Sequence, residues 1–183
     1  MSSTSAGACA ARSLARSFFA RGNNRRRIFL DDFDRNRYLV LLEHVVGRKR
    51  WMCLAYCLMD NHVHLLFETP EANLAAGMQL LHGLYGESHN RRHGTSGHLF
   101  QGRFGAQRVT SDEQLWTTVR YIARNPVEGG ACEQPRRWAW SSHAAIVGGG
   151  PPAWLAVDRL LSYFASFGGD PARRYEAAVA ADA

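Results

Sequence analysis

Two observations predict an α+β fold. Residues 51–59 form a continuous apolar run, and residues 62–65 alternate polar and apolar after the turn signal Asp60-Asn61, so the pair reads as a strand hairpin. Segments with apolar residues at helical spacing lie on either side of it, one preceded and one followed by a further short strand. The order β-α-β-β-α-β results. This is the ferredoxin-like pattern, an antiparallel sheet with both helices on one face and the other face expected to stay open.

Each element has its own local signal. Residues 1–17, rich in Ser, Ala and Arg without a clean period, read as a flexible basic leader. Residues 18–21 form a short strand closed by Gly22-Asn23-Asn24. Asp31 or Asp32 opens a helix with Phe33, Tyr38, Leu41, Leu42 and Val45 on its apolar face, ending at Gly47. The next helix starts at Thr69-Pro70-Glu71 and buries Leu74, Met78, Leu81 and Tyr85. After a glycine-rich loop, residues 104–110 alternate as the last strand. Ser111-Asp112-Glu113-Gln114 is a capping box for one more helix, whose stripe is Leu115, Trp116, Val119, Ile122 and Ala123 and which Pro126 should stop. Residues 18–126 thus form the domain, and 127–183 a C-terminal extension with short helices.

Composition narrows the partners. The net charge is +6, and 21 of the 22 basic residues are Arg, the exception being Lys49. Arginine grips phosphate bidentately where lysine acts as a point charge. Six arginines from Arg12 to Arg27 precede the first acidic residue, and Arg91, Arg92, Arg103 and Arg108 share another acid-free stretch. Such clusters suit an anionic backbone. Cys9, Cys53, Cys57 and Cys132 have no Cys-x-x-Cys pairing, and Cys53 and Cys57 read as small core residues. No secretory or membrane-spanning segment is legible, so a reduced, cytoplasmic protein is expected.

His62-Val63-His64 is the most informative triplet. Successive strand side chains alternate faces, so both imidazoles leave one side while Val63, Leu65 and Phe67 enter a core. Two neutral imidazoles on a rigid strand are half of a divalent-metal shell. Asp60 has the same parity and so offers a carboxylate, although Asp-Asn is also a good hairpin turn. On the last helix Tyr121 and Asn125, four residues apart, share a face opposite the apolar stripe. If that face closes over the open side of the sheet, Asn125 brings an oxygen to the histidines and Tyr121 lies beside them. A phenol, with a pKa near 10, is a weak nucleophile until its target is polarised, as a metal does to a phosphate ester. Gln114 and Thr118 extend the polar stripe. His82, His89, His93, His98 and His143 are read as showing no ligand spacing, and Trp138 and Trp140 as tail packing or base-stacking groups.

These stretches, in this order, resemble the single-tyrosine HUH transposases, and especially their REP-associated tyrosine transposase branch. The matching segments are Arg21-Gly-Asn-Asn24, Met59-Asp-Asn-His-Val-His64, Asn90-Arg-Arg-His93, Gly97-His-Leu-Phe-Gln-Gly-Arg-Phe104, Tyr121-Ile-Ala-Arg-Asn-Pro126 and Trp140-Ser-Ser142. The resemblance implies that His62, His64 and Asn125 coordinate Mg²⁺ or Mn²⁺. It implies that Tyr121 attacks single-stranded DNA, leaving a 5′-phosphotyrosine link and a free 3′-hydroxyl for rejoining. Arg21, Arg25, Arg91, Arg92, Arg103 and Arg108 are the expected DNA contacts, hairpin or single-stranded DNA the partner, and a monomer the expected state with a dimer as the alternative. The chain departs from the family's pattern at Arg16 and Ser17, where an aromatic-His pair is usual, and at Asp60, where Pro is common. The first departure motivates a competing reading, a non-catalytic binder of structured DNA or RNA. A replication-initiator or relaxase nickase would use the same metal chemistry with a different tyrosine placement.

Overall fold

The computed structural model describes residues 15–102, 105–165 and 168–181. Strand β1 (Ala15–Arg21) is followed by α1 (Asp32–Lys49), β2 (Met52–Met59), β3 (His62–Glu68), α2 (Leu74–His93), β4 (Gly105–Arg108) and α3 (Asp112–Glu128). The strands form a four-stranded antiparallel sheet in the order β2-β3-β1-β4, as the ferredoxin-like pattern requires. β3 therefore lies between β2 and β1, which sets Phe19 opposite His64 and Arg21 opposite His62 on one side, and Cys57 and Met59 opposite them on the other.

The first face behaves as its pattern predicts. Phe18, Tyr56, Leu58, Val63, Leu65 and Phe67 pack against Tyr38, Leu42 and Val45 of α1 and Met78, Leu81 and Tyr85 of α2. The second face is not open. Leu54, Ala55, Cys57, Met59 and Leu66 make it apolar as well, and α3 covers it together with α5 (Val157–Ser162) and α6 (Pro171–Ala180) through Leu115, Val119, Ile122, Leu160, Phe164, Tyr175 and Val179. A sheet that is apolar on both faces needs a layer on each. It is thus the apolar stripe of α3, not its polar face, that docks on the sheet.

Several boundaries differ from the sequence reading. β1 starts at Ala15, three residues earlier than expected, because Ala15 pairs with Glu68 of β3 and residues 16–19 find partners on both β3 and β4. α1 runs two residues past Gly47 and ends where Arg50 takes the left-handed conformation, φ 54°. Phe33, expected on the buried face, is 60% exposed, with the Arg92 guanidinium 4.5 Å above its ring. Pro126 does not stop α3: the helix goes one turn further, its end closed by Gly129 N–H on the Asn125 carbonyl at 2.8 Å. In the final turn proline costs one backbone bond, and its ring is buried. The capping box is half formed, since Ser111 accepts from Gln114 N–H but the Gln114 side chain bonds Thr110 instead.

The Trp140-Ser-Ser142 segment seals the outer edge of β2. Leu58 N–H donates to the Trp140 carbonyl (2.9 Å), Trp138 Nε1 donates to Leu58, and Ser142 Oγ bonds both backbone groups of Tyr56. Covering an edge strand removes a template for pairing with other chains. Trp138 and Trp140 also flank the Arg35 guanidinium at 5.7 and 5.5 Å, so they are packing residues. α4 (Ser142–Val147) follows directly.

Two core histidines give the fold an acid limit. Burial holds His82 at about 3 and His143 at about 4, against an ordinary 6.5. The unfolded chain takes up protons on both near pH 6.5 and the folded chain does not, so their contribution is complete above that pH and is lost as the pH falls. Each costs about 1.4 kcal/mol per pH unit once well below 6.5. Urea midpoints are expected to fall between pH 7 and pH 5, and His82→Phe to show a shallower pH dependence.

Candidate active site

The two strand histidines meet the last helix where α3 crosses the sheet. Their rings are 5.1 Å apart and perpendicular, and the Phe19 ring backs both, at 5.6 Å from His62 and 4.9 Å from His64. His62 Nδ1 bonds Asn61 Oδ1 at 2.7 Å, and Asn61 in turn donates its amide to the Arg25 carbonyl. That second bond orients the Asn61 oxygen toward the ring, so Nδ1 carries the proton and the Nε2 lone pair is free. His62 Nε2 faces Asn125 Oδ1 at 2.9 Å. Two acceptor lone pairs at that distance repel unless a cation lies between them or the amide turns over. Adjacent ligands of one small divalent ion, each about 2.1 Å from it, are separated by about 3 Å.

His64 is 4% exposed, and its Nε2 has no hydrogen-bond partner among the described residues. Tyr121 of α3 stands edge-on to its ring, with centroids 5.1 Å apart and planes at 89°, while remaining 47% exposed. Burial pushes His64 down to about 3, and the neighbouring His62 and Arg21 act in the same direction. His62 is lowered too, by burial first, with the Asn125 contact opposing and Arg21 adding to the shift. Both imidazoles are therefore held toward the neutral form, in which a ring nitrogen lone pair is free. A cleft of 530 Å³ opens beside them, lined among others by Ser17, Phe19, His64, Gln107, Thr118 and Tyr121.

Other residues singled out in the sequence are distributed differently. Asp60 is held by Arg35 and by Arg27 (3.2 Å), which makes it an ion-pair partner in the hairpin turn. Arg21 lies beside the site, its guanidinium carbon 5.2 Å from the Phe19 ring, and Arg25 sits in the Gly22 turn with φ 58°. That turn admits no side chain at Gly22, where a Cβ would meet the Arg26 carbonyl at 2.1 Å. Arg91 is on the surface of α2 with Glu87, and Arg108 is exposed on β4 opposite Arg16. Arg92 is paired with Asp31 and Asp34. Arg103 lies outside the described residues. The Arg16-Ser17 departure leaves β1 paired on both sides, and Ser17 lines the cleft.

Comparison with known proteins gives the family and the fold. Residues 13–125, more than half of the chain, match the family described as "Transposase IS200 like". The chain belongs to this family. A Haemophilus influenzae protein named as a REP-associated tyrosine transposase is 28% identical over 100 residues, 49% of this chain and 57% of the relative, so the chain spans little more than half of that protein's length. Among solved structures, a REP-associated tyrosine transposase bound to a REP hairpin shares the fold of this transposase-family chain: TM-score 0.61 at 18% identity, over 83% of this chain and 89% of that one. Among the described residues no helix is long and apolar enough to cross a membrane.

Imidazole ¹⁵N spectra test the electrostatics of this family member's site directly. His64 is expected to stay neutral at pH 6 and to titrate near 3, and His62 to titrate below the ordinary 6.5, whereas a midpoint near 6.5 for His64 would mean an open, hydrated ring.

Proposed function

We propose that this chain cuts and rejoins single-stranded DNA next to a hairpin, with Tyr121 as nucleophile. The observation that carries the proposal is the packing of the Tyr121 ring against His64, whose Nε2 is buried and unpartnered. His62 Nε2, His64 Nε2 and Asn125 Oδ1 are the donors that would hold Mg²⁺ or Mn²⁺. When bound, such an ion supplies Lewis-acid polarisation of a phosphate oxygen. Imidazole is not the preferred partner of Mg²⁺, so an exchangeable ion is expected.

The chain's own residues account for the remaining steps. The cleft lined by Phe19, Gln107, Thr118 and Tyr121 receives the nucleotide beside the scissile phosphate, and Arg21 next to it pairs with the anionic backbone. The half-exposed phenol loses its proton to solvent as its oxygen bonds to phosphorus. The bond from phosphorus to the 3′-oxygen breaks, giving a 5′-phosphotyrosine and a free 3′-hydroxyl. Reversal with another 3′-hydroxyl restores a phosphodiester without ATP, because the covalent link conserves the bond energy. Asn125 and both histidines come from one chain, so a monomer suffices. Arg25, Arg91 and Arg108 are exposed candidates for hairpin contacts, which would place the protein with nucleoid DNA in the cytoplasm.

Incubation with a hairpin-bearing oligonucleotide and Mn²⁺ is expected to give an SDS-resistant adduct. Tyr121→Phe should remove it, a loss of at least about 10⁴-fold, the scale on which loss of a covalent nucleophile acts. Salt-dependent binding with no adduct under any divalent metal would favour the non-catalytic binder instead.

A further inference from the structure

Among the described residues His89 is the least satisfied polar side chain away from the cleft: it is 6% exposed, and neither ring nitrogen has a hydrogen-bond partner there. Buried polar groups normally find partners, so an orphaned imidazole points to a ligand. His93 lies one helical turn further along α2, its ring centroid 4.5 Å away, because residues at i and i+4 share a helix face. From α1, Asp34 brings a carboxylate that is 2% exposed and fixed by the Leu30 N–H at 2.9 Å. Both its oxygens lie 3.0 Å from His93 Nε2. One donor atom from each of Asp34, His89 and His93 lies within 4.8 Å of the others.

We propose that Asp34, His89 and His93 form a second divalent-metal site, of the Zn²⁺ class, joining the start of α1 to the end of α2. Two imidazoles and one carboxylate are a borderline-soft set that suits Zn²⁺ and disfavours Mg²⁺, and three protein ligands leave a position for water. A cavity of 300 Å³ lined by Arg26, His89, His93, Thr95 and His98, among others, provides the approach. Arg92 need not leave, since it also holds Asp31 through bonds of 2.8 and 2.6 Å. The site shares no residue with the His62–His64 pair. Its consequence reaches the cleft through the loop after α2, where Leu99 accepts from Asn23 N–H and Gln101 donates to the Arg21 carbonyl.

The test uses the full chain, stripped with chelator and reloaded with Zn²⁺. A His62→Ala, His64→Ala variant should retain one Zn²⁺ per chain by elemental analysis and melt at a higher temperature with the ion. Adding His89→Ala should weaken Zn²⁺ by more than about 100-fold, beyond the loss expected from an outer partner, with circular dichroism confirming the fold. In the wild-type chain, long-range ¹H–¹⁵N spectra should show the His89 and His93 ring nitrogens shifting on Zn²⁺ addition, a reading that needs no variant. Absence of Zn²⁺ from the first variant, retention unchanged by His89→Ala, or unmoved His89 and His93 signals would each overturn the proposal. None of these outcomes depends on whether Tyr121 cuts DNA.

Discussion

The docking of α3 on the second face of the sheet is the constraint from which the site follows. Leu115, Val119 and Ile122 are almost fully buried against Leu54, Cys57 and Leu66, and each such side chain contributes roughly 1.5–3 kcal/mol. Even with the Asn125 amide turned over to donate, its contact with His62 would contribute only about 1 kcal/mol as a neutral hydrogen bond. The apolar seam therefore sets where the helix lies, and the polar contacts at its border only refine it. The C-terminal helices matter for the same reason, since Leu160, Phe164, Tyr175 and Val179 complete that layer and clamp α3 from outside.

Burial gives the site its chemistry as well as its position. His62 and His64 project from the central strand, walled by Phe19 and the α3 seam, and the loss of water keeps them neutral. Arg21 adds positive charge nearby, which further disfavours imidazolium and favours an approaching phosphate. Asn61 then selects the tautomer of His62, so the Asp60-Asn61 turn both reverses the chain and orients the His62 ring. Asp60 does a different task there: with Arg35 it ties the turn to α1 and to the tryptophans of the tail.

What was legible in the sequence was local. Strand parity placed His62 and His64 on one side, and helical spacing placed Tyr121 and Asn125 together, because both depend on backbone periods alone. The strand order followed from the βαββαβ pattern. The side of α3 that docks was misjudged because most apolar residues of the second face sit within β2, whose unbroken hydrophobic run hides its two-sidedness. Phe33 escaped its predicted burial because helical spacing does not say where a core ends. The His89–His93 spacing was present in the sequence but gained meaning only when α1 brought Asp34 to it, and the same fold consumed Arg92 in an ion pair.

The central claim is that the Tyr121 phenol rests against the His64 imidazole because the α3 seam holds it there. A nuclear Overhauser measurement between the ring protons of the two residues tests this with no metal or DNA present. The 5.1 Å perpendicular packing predicts a strong cross-peak. A helical α3 whose Tyr121 shows no cross-peak to His64, but contacts to another surface, would contradict it.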